Sequence, residues 1–280
     1  MVTTGALLHG DRARHLDFDP VEHPLALQIG GSEPADLAAC ARLAARWGYD
    51  EVNLNCGCPS ERVQRGAFGA CLMREAELVR DSVAAMRDAC TLPVTVKHRI
   101  GIDKIESYEF VRDFVGTVAA GGCNVFIVHA RNAVLKGLSP KENREIPPLK
   151  YDYVYRLKRE LPGLEIVING GITTDGSIEE HLRHVDGVML GRAAYHDPWV
   201  IADVGNARER VVQAMVLYCR RHPDVPIRSV ARHMLGLYHR MPRARLWRRM
   251  LSDSTALARN RPELLLEALE AVDAAAAMAV

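Results

Sequence analysis

Up to about residue 200, short apolar runs alternate with longer stretches of helical period. The runs Pro24–Ile29, Glu51–Asn55, Pro93–Lys97, Val125–His129, Ile166–Asn169 and Gly187–Leu190 have the length and β-branched content expected of strands. Between them, apolar residues three and four positions apart predict helices over Pro34–Trp47, Leu72–Ala89, Ser107–Ala119, Tyr151–Leu161 and Thr174–His184. Ser32 ahead of Pro34, and Thr173-Thr174-Asp175 ahead of an apolar-periodic run, are start signals for two of these. Strands that are apolar throughout and alternate with helices imply a parallel sheet covered on both faces. That leaves a doubly wound sheet or a β/α barrel. Beyond residue 205 the pattern becomes wholly helical, over Arg208–Arg221, Ser229–His239, Arg243–Asp253 and Pro262–Ala277.

The polar residues favour the barrel. Gln28, Asn53, Asn55, Lys97, His129, Asn169 and Gly191-Arg192 all fall at or just past the C-terminal end of a predicted strand. In a TIM-type (β/α)8 barrel that rim carries the ligands and the chemistry. Six strands are visible where a closed barrel needs eight, and an opened barrel would leave two apolar edges unpaired. The expected organisation is a β/α barrel over residues 1–204, incomplete at its start, and a small all-α domain over 205–280.

Composition adds one contrast. Apolar residues make up 48% and charged residues 25% of the 280, with no run near the roughly 20 apolar residues of a membrane span. Seven scattered cysteines do not read as a disulfide framework and suggest a reducing cytoplasm. The net charge of +1 conceals thirteen arginines, no lysine and three acids between residues 205 and 261, a local +10. An Arg-rich helical segment beside a mildly acidic body suggests a polyanion-binding module, although a solvated helical surface would look the same.

The chemistry-bearing motifs are Asn53-Leu54-Asn55-Cys56-Gly57-Cys58-Pro59-Ser60 with Gly66, Phe68-Gly69-Ala70 and Cys71 after it. Val94-Thr95-Val96-Lys97, Val128-His129-Ala130-Arg131, Asn143–Leu149, Asn169-Gly170-Gly171-Ile172 and Met189-Leu190-Gly191-Arg192-Ala193 follow, then Arg232-His233-Met234-Leu235 and Trp247-Arg248-Arg249. In order and spacing these resemble the flavin-dependent tRNA-dihydrouridine synthases, and the Asn143–Leu149 run and the C-terminal motifs resemble the A subfamily. The resemblance implies FMN-dependent reduction of uridine to 5,6-dihydrouridine in the D-loop of tRNA, at position 20/20a, with NADPH as the electron donor.

Carried onto this chain, the resemblance makes Cys58 the general acid that protonates uracil C5. An ordinary thiol, with a pKa of about 8.5, holds its proton at neutral pH as such a donor must. Gln28, Lys97 and His129 would meet the flavin ring, and Asn169, Gly170, Gly171, Gly191 and Arg192 its phosphate, where glycine lets backbone amides approach. Asn55 would meet a uridine extruded from the loop. Lys141, Arg144 and Arg232 would hold the tRNA backbone, with Arg131, Arg228, Arg245, Arg248 and Arg249 as lesser candidates on the same surface. Cys56, where the family has an aliphatic residue, should face packing, as should Cys71. Cys56-x-Cys58 lacks the second ligand pair that zinc needs, so no metal is expected. No membrane and no protein partner is implied, and the chain is expected to be a monomer.

By the same resemblance, Met1–Ala6 matches the stretch just after the family's second strand. The first strand, first helix and most of the second strand are therefore expected to be missing. Two other functions stay open: an inactive tRNA-binding fragment, and an FMN barrel reducing a free pyrimidine. The latter would need neither the Arg-rich helices nor Asn143–Leu149.

Overall fold

The computed structural model of the chain describes residues 1–202 and 208–277. Seven strands form one parallel sheet: β1 (Val2–Thr3), β2 (Ala26–Gly30), β3 (Glu51–Cys56), β4 (Val94–Arg99), β5 (Val125–His129), β6 (Glu165–Asn169) and β7 (Gly187–Met189). Strand order in the sheet equals order in the chain. A doubly wound sheet reverses its order at a switch point; this one never reverses, so that alternative is excluded. Among the described residues no ladder joins β7 to β1.

The expected count of six strands is corrected to seven. Val2 and Thr3 pair with Ile29 and Gly30, so the residues expected to follow a strand are themselves one. Two residues contain no period, which is why hydropathy could not reveal them. Thr3 then caps the helix Thr4–His9, its hydroxyl accepting from the Ala6 amide.

The chain divides into two compact units, residues 1–171 with 176–189, and residues 172–175 with 190–280. The boundary expected between 204 and 205 lies outside the described residues. In the first unit the helices bury the positions their periodicity requires. Pro34–Trp47 buries Leu37, Cys40, Ala41 and Ala44, and Ala76–Ala89 buries Val79, Ser82, Val83 and Met86. Helix Tyr108–Ala120 presents Phe114 to the sheet, where it meets His98, itself in edge contact with Phe126. One face of the sheet, carrying Leu54, Cys56, Val96, His98 and Val128, is thus closed by helices. Because side chains alternate along a strand, Asn53, Asn55, Thr95, Lys97, Arg99, His129 and Asn169 share the opposite face.

The second unit packs helices Arg208–Arg221, Ile227–Met234, Ala244–Met250 and Leu264–Ala277 around Val212, Val216, Met234, Trp247, Leu265 and Ala268. Trp247 is fully buried, its indole N–H donating to the Met234 carbonyl at 2.8 Å. The helix expected at Ser229–His239 begins earlier, at Ile227, and ends at Met234. Pro226 sets its start, and the Ile227 amide donates to Asn260 Oδ1. Among the described residues no helix is long and apolar enough to cross a membrane.

Candidate active site

The parallel register sets polar side chains of neighbouring strands side by side. Gln28 lies opposite Asn53 and Asn53 opposite Thr95. Asn55 lies opposite Lys97, and Arg99, His129, Asn169 and Met189 follow one another across β4 to β7. These groups bond in series. Gln28 Nε2 donates to Asn53 Oδ1 at 2.7 Å, Asn53 Nδ2 to Thr95 Oγ1 at 2.7 Å, and the Thr95 hydroxyl to Glu51 at 2.5 Å. Buried amides need such partners, and a chain of them fixes each rotamer.

Asn55 carries this network into the turn after β3. Its Nδ2 donates to Gln28 Oε1 at 2.9 Å, while its Oδ1 accepts the amides of Gly57 and Cys58 at 3.1 and 3.0 Å. Both ends of its amide are therefore occupied within the chain. The Cys58 carbonyl accepts the Ala70 amide at 3.0 Å, and the thiol reaches Ser60 Oγ at 3.5 Å. Gly69 permits this closure: its φ is +72°, and a Cβ there would lie 2.6 Å from the Cys58 carbonyl oxygen. Cys56 is fully buried, as its expected packing role requires, and burial pushes its thiol far up. Cys71 is partly buried, and burial raises its thiol too.

Three basic residues follow on β4. Lys97 Nζ donates to Asn169 Oδ1 at 3.0 Å. Its removal from water, and secondarily the nearby Arg99 charge, lower its pKa to about 8. Arg99 is buried, and burial lowers it to about 10, so it remains a cation at neutral pH. His98 points to the helical face; burial pushes it down to about 4, against a hydrogen bond of its Nδ1 to the Arg99 carbonyl at 2.7 Å.

His129 and the end of β6 complete the arrangement. Asn169 Nδ2 donates to the Met189 carbonyl at 2.8 Å, which leaves its Oδ1 facing Lys97. Gly170 and Gly171 have φ of +114° and +74°. A Cβ on Gly170 would lie 2.6 Å from the His129 ring, and one on Gly171 2.7 Å from Leu149. The turn therefore exists only as glycine and presents bare backbone. Tyr151 supports it from below, donating to the Gly170 carbonyl at 2.7 Å.

The structure brings Gln28, Asn55, Cys58, Lys97, His129, Asn169, Gly170 and Gly171 onto one set of strand ends in the first unit. Lys141 caps the 3-10 turn Glu142–Arg144 of that unit and Arg144 ends it, and both are exposed. Between them Asn143 is fully buried and bonded to Val134, Leu138 and Ser139, so the motif anchors through its asparagine. Gly191 and Arg192 belong to the second unit, at the start of helix Arg192–His196. Arg232 is exposed there, donating to His233 Nε2 at 3.2 Å. Arg131 braces its own loop by donating to the carbonyls of Glu145 and Pro147.

Two residues escaped the motif reading. The β4 strand was expected to end at Lys97, but continues to Arg99. A spacing of two places Arg99 on the Lys97 face, and that alternation was the available signal. In sequence Asn143 reads only as part of a motif; its burial is a tertiary fact. Among the described residues no three His, Cys, Asp or Glu side chains converge as a metal site would.

The comparisons with known proteins agree with one another. A model of the family described as dihydrouridine synthase (Dus) matches residues 1–276. A tRNA-dihydrouridine(20/20a) synthase of Shewanella oneidensis is 56% identical over 266 residues, covering 91% of this chain and 79% of that protein. Proteins of the same name from Synechocystis sp. and Pseudomonas syringae pv. tomato are 54% and 56% identical. They cover 97% and 95% of this chain and 85% and 83% of their own lengths. Matched over nearly all of its length, and at more than half identity to such relatives, the chain belongs to the dihydrouridine synthase family.

Proposed function

We propose that this chain reduces uridine to 5,6-dihydrouridine in the D-loop of tRNA, at position 20 or 20a. FMN serves as the redox cofactor and NADPH as its reductant. The observation that carries the reading is the continuous link from Gln28 through Asn55 to the Cys58 turn. The link joins the residue expected beside the flavin to the thiol expected beside the base. The strand order, sequential and never reversed, supports a β/α barrel whose C-terminal rim is the site.

The residues fit a flavin nucleotide. A side-chain-free turn at Gly170-Gly171 offers backbone to a phosphate. Lys97 has no carboxylate partner among the described residues and can meet negative charge. When bound, FMN supplies a hydride for uracil C6. Cys58 gives the proton to C5 from its S–H bond, leaving the electron pair on sulfur. His129, packed on Gly170, and Gln28, fixed by Asn53 and Asn55, keep the ring edge oriented. Asn55 reaches the base from the position that its own contacts impose. Gly191 and Arg192 are the further phosphate contacts of this reading.

For tRNA, Lys141, Arg144 and Arg232 are the backbone contacts. The second unit supports this role, since among the described residues Arg240, Arg243, Arg245 and Arg248 pair with no carboxylate, whereas Arg220 and Arg261 pair with Glu263 and Glu267. Those four line a surface cavity of 380 Å³ together with His239. Unneutralised arginines of this density suit a phosphate backbone.

The test is direct. The purified chain, supplied with FMN, NADPH and tRNA lacking dihydrouridine, is assayed by nuclease digestion and mass spectrometry. Dihydrouridine at position 20 or 20a, absent with Cys58→Ala, supports the reading. A flavin-loaded chain that leaves tRNA unchanged but reduces free uracil would replace it.

A further inference from the structure

Arg99 holds its charge in an unusual setting. It is 3% exposed, and among the described residues no carboxylate pairs with it. Its partners are backbone carbonyls from three separate segments. Nε donates to Gly57 at 3.2 Å, and Nη1 to Asn132 at 3.2 Å and Asn143 at 2.8 Å. A buried cation without a counter-ion is costly. Holding backbone in place does not require one: Asn143, a neighbour in the same network, ties Val134, Leu138 and Ser139 of one loop with a neutral amide.

The position of the charge supplies the reason. The Gly57 carbonyl and the Cys58 amide belong to one peptide group. Arg99 holds its oxygen and Asn55 Oδ1 holds its N–H. The guanidinium therefore sits against the backbone that carries the thiol. The ionisable groups acting on Arg99 are Cys58, Arg144 and Arg131, and Lys97 feels Arg99 in turn. In this cationic surround, sulfur is the one member of that set that becomes negative.

We propose that Arg99 is a positioning residue for Cys58, holding the Gly57–Cys58 peptide and stabilising the thiolate formed when Cys58 gives up its proton. The inference rests on the reading of Cys58 as proton donor. In that step the uracil C5–C6 double bond gains a hydride at C6, supplied by the NADPH-reduced flavin, and a proton at C5 from sulfur. The thiolate that remains is neutralised by Arg99 until solvent returns the proton. A positive charge fixed near sulfur favours this product.

The test reads the thiol itself. The rate of Cys58 alkylation by iodoacetamide at pH 7.5 is followed on the Cys58 peptide by mass spectrometry. Arg99→Gln removes the charge and is expected to slow alkylation about tenfold, because iodoacetamide reacts with the thiolate that the charge favours. Arg99→Lys keeps the charge and is expected to stay within about threefold of wild type. Loosening of the turn would act in the opposite direction, by exposing sulfur. Asn143→Ala, which frees the neighbouring loop at Val134, Leu138 and Ser139 and keeps the charge, is therefore expected to leave the rate unchanged or raise it.

An Arg99→Gln chain that melts normally and alkylates as fast as wild type, or faster, overturns the proposal. If the glutamine variant does not fold, a tenfold loss in a folded Arg99→Lys chain overturns it instead. Dihydrouridine formation by the wild type is measured separately. Its absence would sink the proposed function, whereas the alkylation series reports the Arg99–Cys58 coupling independently.

Discussion

The β3–β4 rim and the turn between helices Ile227–Met234 and Ala244–Met250 are both rich in basic residues, yet they hold them in opposite ways. At the rim, Lys97 and Arg99 are bonded to particular acceptors, and their withdrawal from water lowers their pKa values. In this turn and the helix that follows it, Arg240, Arg243, Arg245 and Arg248 are exposed and have no carboxylate partner among the described residues. Arg240 and Arg243 even adopt φ of +57° and +62°, a conformation that costs a non-glycine residue about 1 kcal/mol or more. The rim fixes a few charges at defined points, the arrangement that the proposed chemistry on one base would use. The turn spreads many charges over a surface, as attraction to a repeating polyanion requires.

The largest effect is expected at the centre of the rim. Cys58→Ala should lower the rate of dihydrouridine formation by about 10²–10⁴, the range for loss of a general acid. Its affinity for tRNA, read by filter binding, should stay within about twofold. A large loss of binding would show that the rim and the arginine surface are not separable functions.

Next comes the scaffold beneath the arginines. Trp247 is fully buried and hydrogen-bonded to Met234. Trp247→Ala should destabilise the chain by about 3–5 kcal/mol in urea unfolding. A cost below about 1 kcal/mol would mean that the exposed charges do not depend on a packed core.

Strand β4 should also show a distinctive acid response through His98, on the face away from the rim residues. Its folded pKa, about 4, lies below the ordinary value of 6.5. The unfolded chain therefore binds the extra proton first as pH falls. The stability is full above pH 6.5 and lost on descent towards pH 4, by about 3 kcal/mol at most. His98→Phe should flatten that part of the stability–pH curve. An unchanged curve would assign acid sensitivity elsewhere.

The smallest effect belongs to any one surface arginine. Arg245→Gln should weaken tRNA binding about two- to fivefold and lower the salt slope by about one unit. Catalysis at saturating tRNA should be unaffected. A single substitution that abolished binding would turn this surface into a specific contact like those of the rim.

How much could be read in advance varied with distance along the chain. Helix Pro34–Trp47 was legible to the residue because its apolar positions and Pro34 are local signals. The turn at Gly170-Gly171 was legible as a place where backbone must be bare. Strand β1 was not, because two residues acquire meaning only when Ile29 and Gly30 pair with them. Asn55 was expected to face a nucleotide, but that it also braces Cys58 depends on hydrogen bonds to the Cys58 turn and to Gln28, 27 residues away.

The sequence alone determined the alternation of strands and helices, the polar strand ends, the cysteine turn and the uneven distribution of arginine. Each arises from periodicity, steric permission or local composition, which neighbouring residues carry. Tertiary structure decided which cations are buried and which are not, and which neutral side chains orient them. Burial and pairing depend on residues distant in sequence: Arg99 looks like one more basic residue until Gly57, Asn132 and Asn143 close around it.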